Sequence, residues 1–127
     1  MKAFFVTLRE YTVTGLLYAA LSGRMYTDVA PQGTVCPYAV WSFPSGFPVY
    51  DLEDNKQEEF TAQLDIYSQG ESEILTLFDQ ADSDFNGCSL VVPGYDLIRF
   101  RRVTQRKIRE DSIKRYIIEF SIHIGEK

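Results

Sequence analysis

Hydrophobic and polar positions alternate most regularly near the C-terminus. Tyr116, Ile118, Phe120, Ile122 and Ile124 share one parity, and Arg115, Glu119, Ser121 and His123 share the other, with Ile117 as the exception. A period of two predicts a half-buried strand over Ser112–Ile124. A partner strand, Tyr95–Lys107, precedes it after the Pro93–Gly94 turn, and Glu110 and Asp111 lie near the bend. Together they predict a long hairpin whose polar tip, Thr104–Lys114, projects past the core. Phe60, Ala62, Leu64 and Ile66 alternate with Thr61, Gln63 and Asp65, which predicts another strand with one wet face. Between these, Ile74, Leu77, Phe78, Ala81 and Phe85 recur at helical spacing, with Glu71, Glu73, Asp79 and Asp82 largely off that stripe. A helix over Gly70–Asp84 follows, with acidic residues in its first turn where the helix dipole favours them. Ser68 and Glu71 match a capping box, and Asn86–Gly87 ends the helix.

The N-terminal part is less regular. Phe4, Leu8 and Tyr11, then Leu16, Leu17, Ala20 and Leu21, predict a helix over Lys2–Leu21. Its threonines and Gly15 lower helix propensity, so a break is expected near Thr12–Thr14. Gly23 stands where a helix C-terminus takes a left-handed residue. Met25–Val29 reads as a short extended piece, Ala30–Gly33 as a turn, and Tyr38–Phe43 as a strand buried on both faces. Pro44–Gln57 holds Pro44, Gly46 and Pro48, followed by Asp51, Glu53, Asp54 and Lys56, and reads as a long mobile loop or arm. The order α–β–β–α–β–β predicts an α+β fold: a mostly antiparallel, four-stranded twisted sheet, helices packed on one face, and a long C-terminal β-hairpin.

At 127 residues, with 45% hydrophobic and 24% charged residues, the chain suits one globular domain. No apolar stretch approaches the ~20 residues needed to span a bilayer. Arg9 and Glu10 cut short the apolar start Met1–Leu8, which reads as helix rather than as a secretory segment. Cys36 and Cys88 lack ligand-like spacing and are expected as buried free thiols in a reducing compartment.

The net charge of −5 argues against a general nucleic-acid binder, but it hides a division. Eight of the thirteen basic residues fall between Arg99 and Arg115, and eleven of the eighteen acidic ones between Asp51 and Asp84. These spans could be two solvated faces or two complementary sides of a subunit.

No catalytic or cofactor-binding constellation emerges. His123 is the only histidine and has no ligand partners at metal-site spacing. Asp79, Asp82 and Asp84 lack the turn glycine of a calcium loop and read as a solvated helix end. No glycine-rich phosphate loop is present. The basic run Arg99, Arg101, Arg102, Arg106, Lys107 and Arg109 contains Phe100, as a nucleic-acid stripe would. Strand alternation, however, sends Arg99 and Arg101 away from Arg102 and Thr104, so no single basic surface forms before the hairpin tip.

The stretch Leu21–Phe43, LSGRMYTDVAPQGTVCPYAVWSF, carries a more specific signal. A helix ending in Gly23–Arg24, then Tyr26, then Ala30–Pro31–Gln32–Gly33, then Pro37–Tyr38 and a β-rich run resembles the tail completion, or tail terminator, family of siphophages and related prophages. Asp65–Ile66–Tyr67 followed by an acidic helix is similar to that family's next strand and helix. The resemblance covers about Leu16–Phe85 well and the C-terminal hairpin in outline. The charged segment Asp51–Lys56 and the long basic hairpin depart from the pattern.

The resemblance implies a single structural domain over residues 1–127 with no catalysis, no cofactor and no metal. It implies a ring homo-oligomer, a hexamer, that caps the tail tube, ends its growth and joins the tail to the head connector or stopper protein. Partners are then further copies of the chain, the tail tube protein and the connector. DNA passes through the ring without specific binding, and no membrane is involved. The location would be the head–tail junction of a virion assembled in the host bacterial cytoplasm. Another neck component of a phage or prophage is the alternative. The expected interface residues are Arg99, Arg101, Arg106, Lys107 and Arg109 on one side, with Asp51, Glu53, Asp54 and Lys56 on the other.

Overall fold

The alternation read near the C-terminus becomes the centre of the sheet. The computed structural model describes residues 2–50, 56–110 and 112–126. Its elements are α1 (Lys2–Val13), α2 (Leu16–Ala20), β1 (Met25–Thr27), β2 (Tyr38–Tyr50), β3 (Lys56–Ser68), α3 (Glu71–Phe85), β4 (Tyr95–Glu110) and β5 (Ile113–Glu126). Among the described residues they form one five-stranded sheet in the order β1-β2-β3-β5-β4. The expected α+β class holds, but the sheet is mixed rather than a four-stranded, mostly antiparallel one. The extra strand is β1, parallel to β2, with Met25 opposite Ala39 and Thr27 opposite Trp41. At three residues it is too short to announce itself by alternation.

One sheet face is apolar because parity puts it there. Ala39 and Trp41 of β2, Phe60 to Ile66 of β3, Ile118 to Ile124 of β5 and Phe100 of β4 meet Phe4, Leu8, Leu17, Ile74, Leu77, Ala81 and Phe85 from the helices. Aromatic rings link the layers: Trp41 meets Phe85 edge-on at 5.0 Å between centroids, and Phe4 meets Phe60 at 5.1 Å. Tyr38–Phe43 is not buried on both faces. Ala39 and Trp41 are buried, whereas Tyr38, Val40 and Ser42 are half-buried on the helix-free face.

Two expectations about projecting segments need correction. First, Pro44–Gln57 is largely strand: β2 and β3 pair from Tyr38↔Tyr67 to Tyr50↔Lys56, with a bulge between Ser42 and Ser45. Pro44, Gly46 and Pro48 read as loop breakers, but β1 covers only Ala39–Trp41, so this half of β2 is a sheet edge. Proline is tolerated there because no further strand needs its N–H. Asp51, Glu53 and Asp54 lie outside the described residues. Second, the C-terminal hairpin does not stand clear of the core. β5 is flanked by β3 along its length, from Gln57↔Gly125 to Ser68↔Lys114, so only the turn passes the sheet's end.

The N-terminal helical segment breaks where expected, between Val13 and Leu16. The five-residue α2 is held at both ends. At its C-terminus Gly23 N–H donates to Tyr18 C=O at 3.0 Å and Ser22 N–H to Ala19 C=O at 3.1 Å. This is the paired closure of a Schellman motif, with Ser22 and Gly23 both at positive φ. At its N-terminus the Asp84 carboxylate accepts from Leu16 N–H at 3.1 Å and Leu17 N–H at 2.9 Å. Asp84 is therefore not part of a solvated helix end. It is buried, and it caps α2 from the last turn of α3. Tyr11 of α1 donates its hydroxyl to the Asp84 carbonyl, so one residue ties three helices together. The expected capping box is also rearranged: Gly70 is the N-cap of α3, and the Ser68 hydroxyl at the end of β3 bonds Gly70 N–H and Glu73 instead.

Asp84→Ala leaves the buried Leu17 N–H and the part-buried Leu16 N–H without their charged acceptor, and should cost about 2 kcal/mol of stability, the scale of hydrogen bonds to charged groups. Thermal unfolding of the variant against the parent chain measures it. Gly15→Val should act on the same joint, because a Cβ at Gly15 would stand 2.6 Å from Asp84 Oδ2.

Candidate assembly surfaces

The helix-free face of the sheet is polar but not loose. Arg115 pairs with Asp65 at 2.6 Å, and Gln63 donates to the other oxygen of the same carboxylate at 2.9 Å. Arg99 reaches both Glu59 and the Ser121 hydroxyl. His123 bonds Gln57 at 2.7 Å, which places it in a structural contact. Tyr38 stacks on Tyr67 at 4.6 Å, and Arg115 lies over the Tyr67 ring at 5.6 Å. These long side chains cover one another, and Ile117, the apolar exception to the parity, is buried between the strands carrying Asp65 and Arg106.

The two charge spans that lie apart in sequence are brought together by folding. Besides Arg99–Glu59 and Arg115–Asp65, Arg102 pairs with Asp82 at 3.2 Å and Lys107 pairs with Glu71. Much of the basic span thus neutralises the acidic span within one chain. Arg99 and Lys107, expected at an interface, each have an intramolecular partner. Arg101, Arg106 and Arg109 are exposed and form no ion pair among the described residues. The backbone of Lys56 closes the β2–β3 pairing opposite Tyr50, while Asp51, Glu53 and Asp54 fall outside the described residues.

Bulges decide which way these side chains face. β4 carries two against β5, between Leu97 and Arg99 and between Arg102 and Thr104, so Ile98 and Val103 are the extra residues. The second bulge sets Thr104 opposite Glu119 and Arg106 opposite Ile117, both on the helix-free face with Arg99 and Arg101. Simple alternation had placed Thr104 on the other side. Arg102, Lys107 and Arg109 lie on the helix side. There Arg102 sits over the Phe78 ring at 5.1 Å.

A second surface was missed in the sequence. Along the outer side of α1, a groove of ≈ 1030 Å³ is lined by Phe5, Val6, Arg9, Val13, Met25, Val29, Trp41 and Phe43, among others. Val6 and Val13 are exposed. The signal was present: Phe4, Phe5 and Val6 make the start of α1 apolar over more than one stripe. The floor includes Trp41, which is 5% exposed and whose indole N–H has no acceptor among the described residues. The Gly23–Arg24 and Val29–Pro31 signature lies at the same end of the fold. Arg24 Nε donates to Pro37 C=O at 2.9 Å, pinning the β1–β2 connection, and Val29 and Pro31 contribute to the groove wall.

Among the described residues no catalytic set accompanies these surfaces. Cys36 and Cys88 are free and half-buried rather than fully buried. Burial pushes the Cys88 thiol up to about 11, opposite to the direction that activates a nucleophile. Among the described residues no group of three or more potential metal ligands occurs, and no helix is long and apolar enough to cross a membrane.

The family model for the tail completion protein gp17 matches residues 12–125. The chain belongs to this family. It is a phage structural tail protein and not an enzyme. The same fold occurs in a chain from the virion of a native gene transfer agent particle, with a TM-score of 0.74 at 13% identity, over 94% of this tail completion protein and 92% of that chain. A further solved structure superposes with a TM-score of 0.62 at 12% identity, covering 95% and 94% of the two chains. No curated protein sequence matches.

The Lys107 ammonium, through its hydrogen bond, holds the Glu71 carboxyl of this tail completion protein below the usual carboxylate range. A lowered value in the folded state means that the pair's stabilisation is present above the unfolded value and lost as pH falls through the folded one. NMR titration should show Glu71 returning toward the ordinary carboxylate range in Lys107→Met. The loss of stability should be slight, because the pair is solvent-exposed.

Proposed function

We propose that copies of this tail completion protein close into a ring, a hexamer, on the finished tail tube, where they end tube growth and join the tail to the head connector. The observation that carries this reading is the family match over residues 12–125. The fold shared with a chain of the gene transfer agent virion supports work within a particle; the place that goes with a ring of this kind is the head–tail junction, reached after assembly in the host cytoplasm. The surfaces support it chemically. A ring needs two unlike sides around a closed circle, and this subunit carries two unlike surfaces, a polar, ion-paired sheet face and an apolar groove. DNA passes through the opening without specific binding.

Within the ring, Arg101, Arg106 and Arg109 are the basic residues available to a partner, and Asp51, Glu53, Asp54 and Lys56, which link β2 to β3 in sequence, are the charged residues offered to a neighbouring copy. Arg99 and Lys107 contribute by holding their own strands through Glu59 and Glu71.

Purified chain added to tail tubes assembled without it should appear as a ring on one tube end, seen by electron microscopy, and should halt further tube growth. A chain that stays monomeric beside tubes, with those tubes still ending at normal length and joining heads, refutes the reading. Localisation to tail-free heads would point instead to another neck component. Arg101→Glu with Arg106→Glu should weaken ring formation about tenfold at moderate salt, through loss of steering and complementarity, while the folded monomer is unchanged by circular dichroism.

A further inference from the structure

Among the described residues, none fills the apolar groove along α1. We propose that it receives the β2–β3 tip, residues 47–54, of a neighbouring copy, so that each subunit inserts a tip into the next and is filled by the one before. This rests on the ring reading and names its contact.

Three observations select this occupant. The first is the unmet demand in the groove. Trp41 is nearly fully buried, yet its indole N–H has no acceptor among the described residues. A buried donor of this kind ordinarily has a partner; its nitrogen is itself closed off from solvent, so a carbonyl oxygen of an entering peptide meets it only as the side chains over it shift on binding. The second is chemical match. Residues 47–54 read Phe-Pro-Val-Tyr-Asp-Leu-Glu-Asp, apolar side chains followed by three carboxylates and no base. The groove offers Phe5, Val6, Val13, Met25 and Val29 for the apolar part, and Lys2 and Arg9 against the single acid Asp28 for the charged part. The volume of ≈ 1030 Å³ is at the upper end of small-ligand sites, which bury their ligands deeply. Here the walls are open and apolar along a helix, a shape suited to a chain segment. The third is reach. Phe43 of β2 lines the groove, and β2 continues paired with β3 as far as Tyr50↔Lys56. At ~3.3 Å per residue the paired strand carries Tyr50 roughly 20 Å beyond Phe43. A paired strand cannot fold back over that distance, so the tip that fills a groove comes from another copy. A tip in a groove is a head-to-tail contact, and such contacts form rings when the rotation closes.

The test uses the full chain assembled on tail tubes. A photo-crosslinking residue replacing the exposed Val6 should join to residues 47–54 of a second copy, read by mass spectrometry of the linked peptides. Arg9→Glu should weaken assembly about tenfold, and combining it with Asp51→Lys and Asp54→Lys should restore assembly, a rescue that a merely structural role for Arg9 would not give. Trp41 is the only tryptophan, so its emission should shift on ring formation and not in the monomer. Rings that form with groove crosslinks to the tube protein, to the connector or to another segment of the chain overturn this contact and leave the ring reading standing. A chain that forms no ring beside tubes overturns both.

Discussion

Asp84 closes the last turn of α3 and, with the same residue, opens α2. Its carboxylate accepts two N–H groups that a five-residue helix cannot satisfy by itself, and its carbonyl accepts the Tyr11 hydroxyl from α1. Short helices gain little from their own hydrogen bonds and depend on what they pack against. The angle between α1 and α2, and hence the course of the chain into β1, follows from this joint. Leu17 and Leu21 are fully buried on one side of it, and the Ser22–Gly23 turn aims the chain at the sheet on the other. β1 is then laid parallel to β2, and the wall of the α1 groove is set in place.

The charge distribution acquires its meaning only after folding. Linear separation of acidic and basic spans suggested two opposed sides of a subunit. The strand order β3-β5-β4 instead brings them within reach, and among the described residues ion pairs such as Arg99–Glu59, Arg102–Asp82, Lys107–Glu71 and Arg115–Asp65 stitch β4 and β5 to β3 and α3. Partly exposed pairs of this kind add little stability each. They do fix the positions of long side chains that would otherwise lie free on an uncovered sheet. What remains exposed and outside these pairs, among the described residues of the basic run, is a smaller set, Arg101, Arg106 and Arg109.

Most of the fold was legible where periodicity was long. β5, β3 and α3 follow from parity and helical spacing, and the Leu21–Phe43 stretch carried the family. The misreadings share a physical origin: they concern features fixed by neighbours rather than by local pattern. Pro44 and Pro48 argue against a strand until one knows that β1 ends opposite Trp41 and leaves that edge uncovered. β1 itself is too short to show a period. Thr104 changes face because Val103 is an extra residue, which no alternation count reveals. Asp84 reads as solvent-facing until Leu16 and Leu17 are folded against it. The candidate surfaces were legible in part: exposed arginines could be named, but not which were already paired, and the groove required α1 to lie beside β1.

Both borders of the sheet are poor templates for another strand. β4 is interrupted twice by bulges that turn Ile98 and Val103 outward, and the bare half of β2 carries two prolines. Backbone-to-backbone stacking of one molecule on the next is therefore discouraged, although sixteen-residue β4 is long enough to invite it. Crowding of many copies is thereby less prone to end in strand-on-strand fibrous precipitate, because neither border offers the long, flat template that such growth needs.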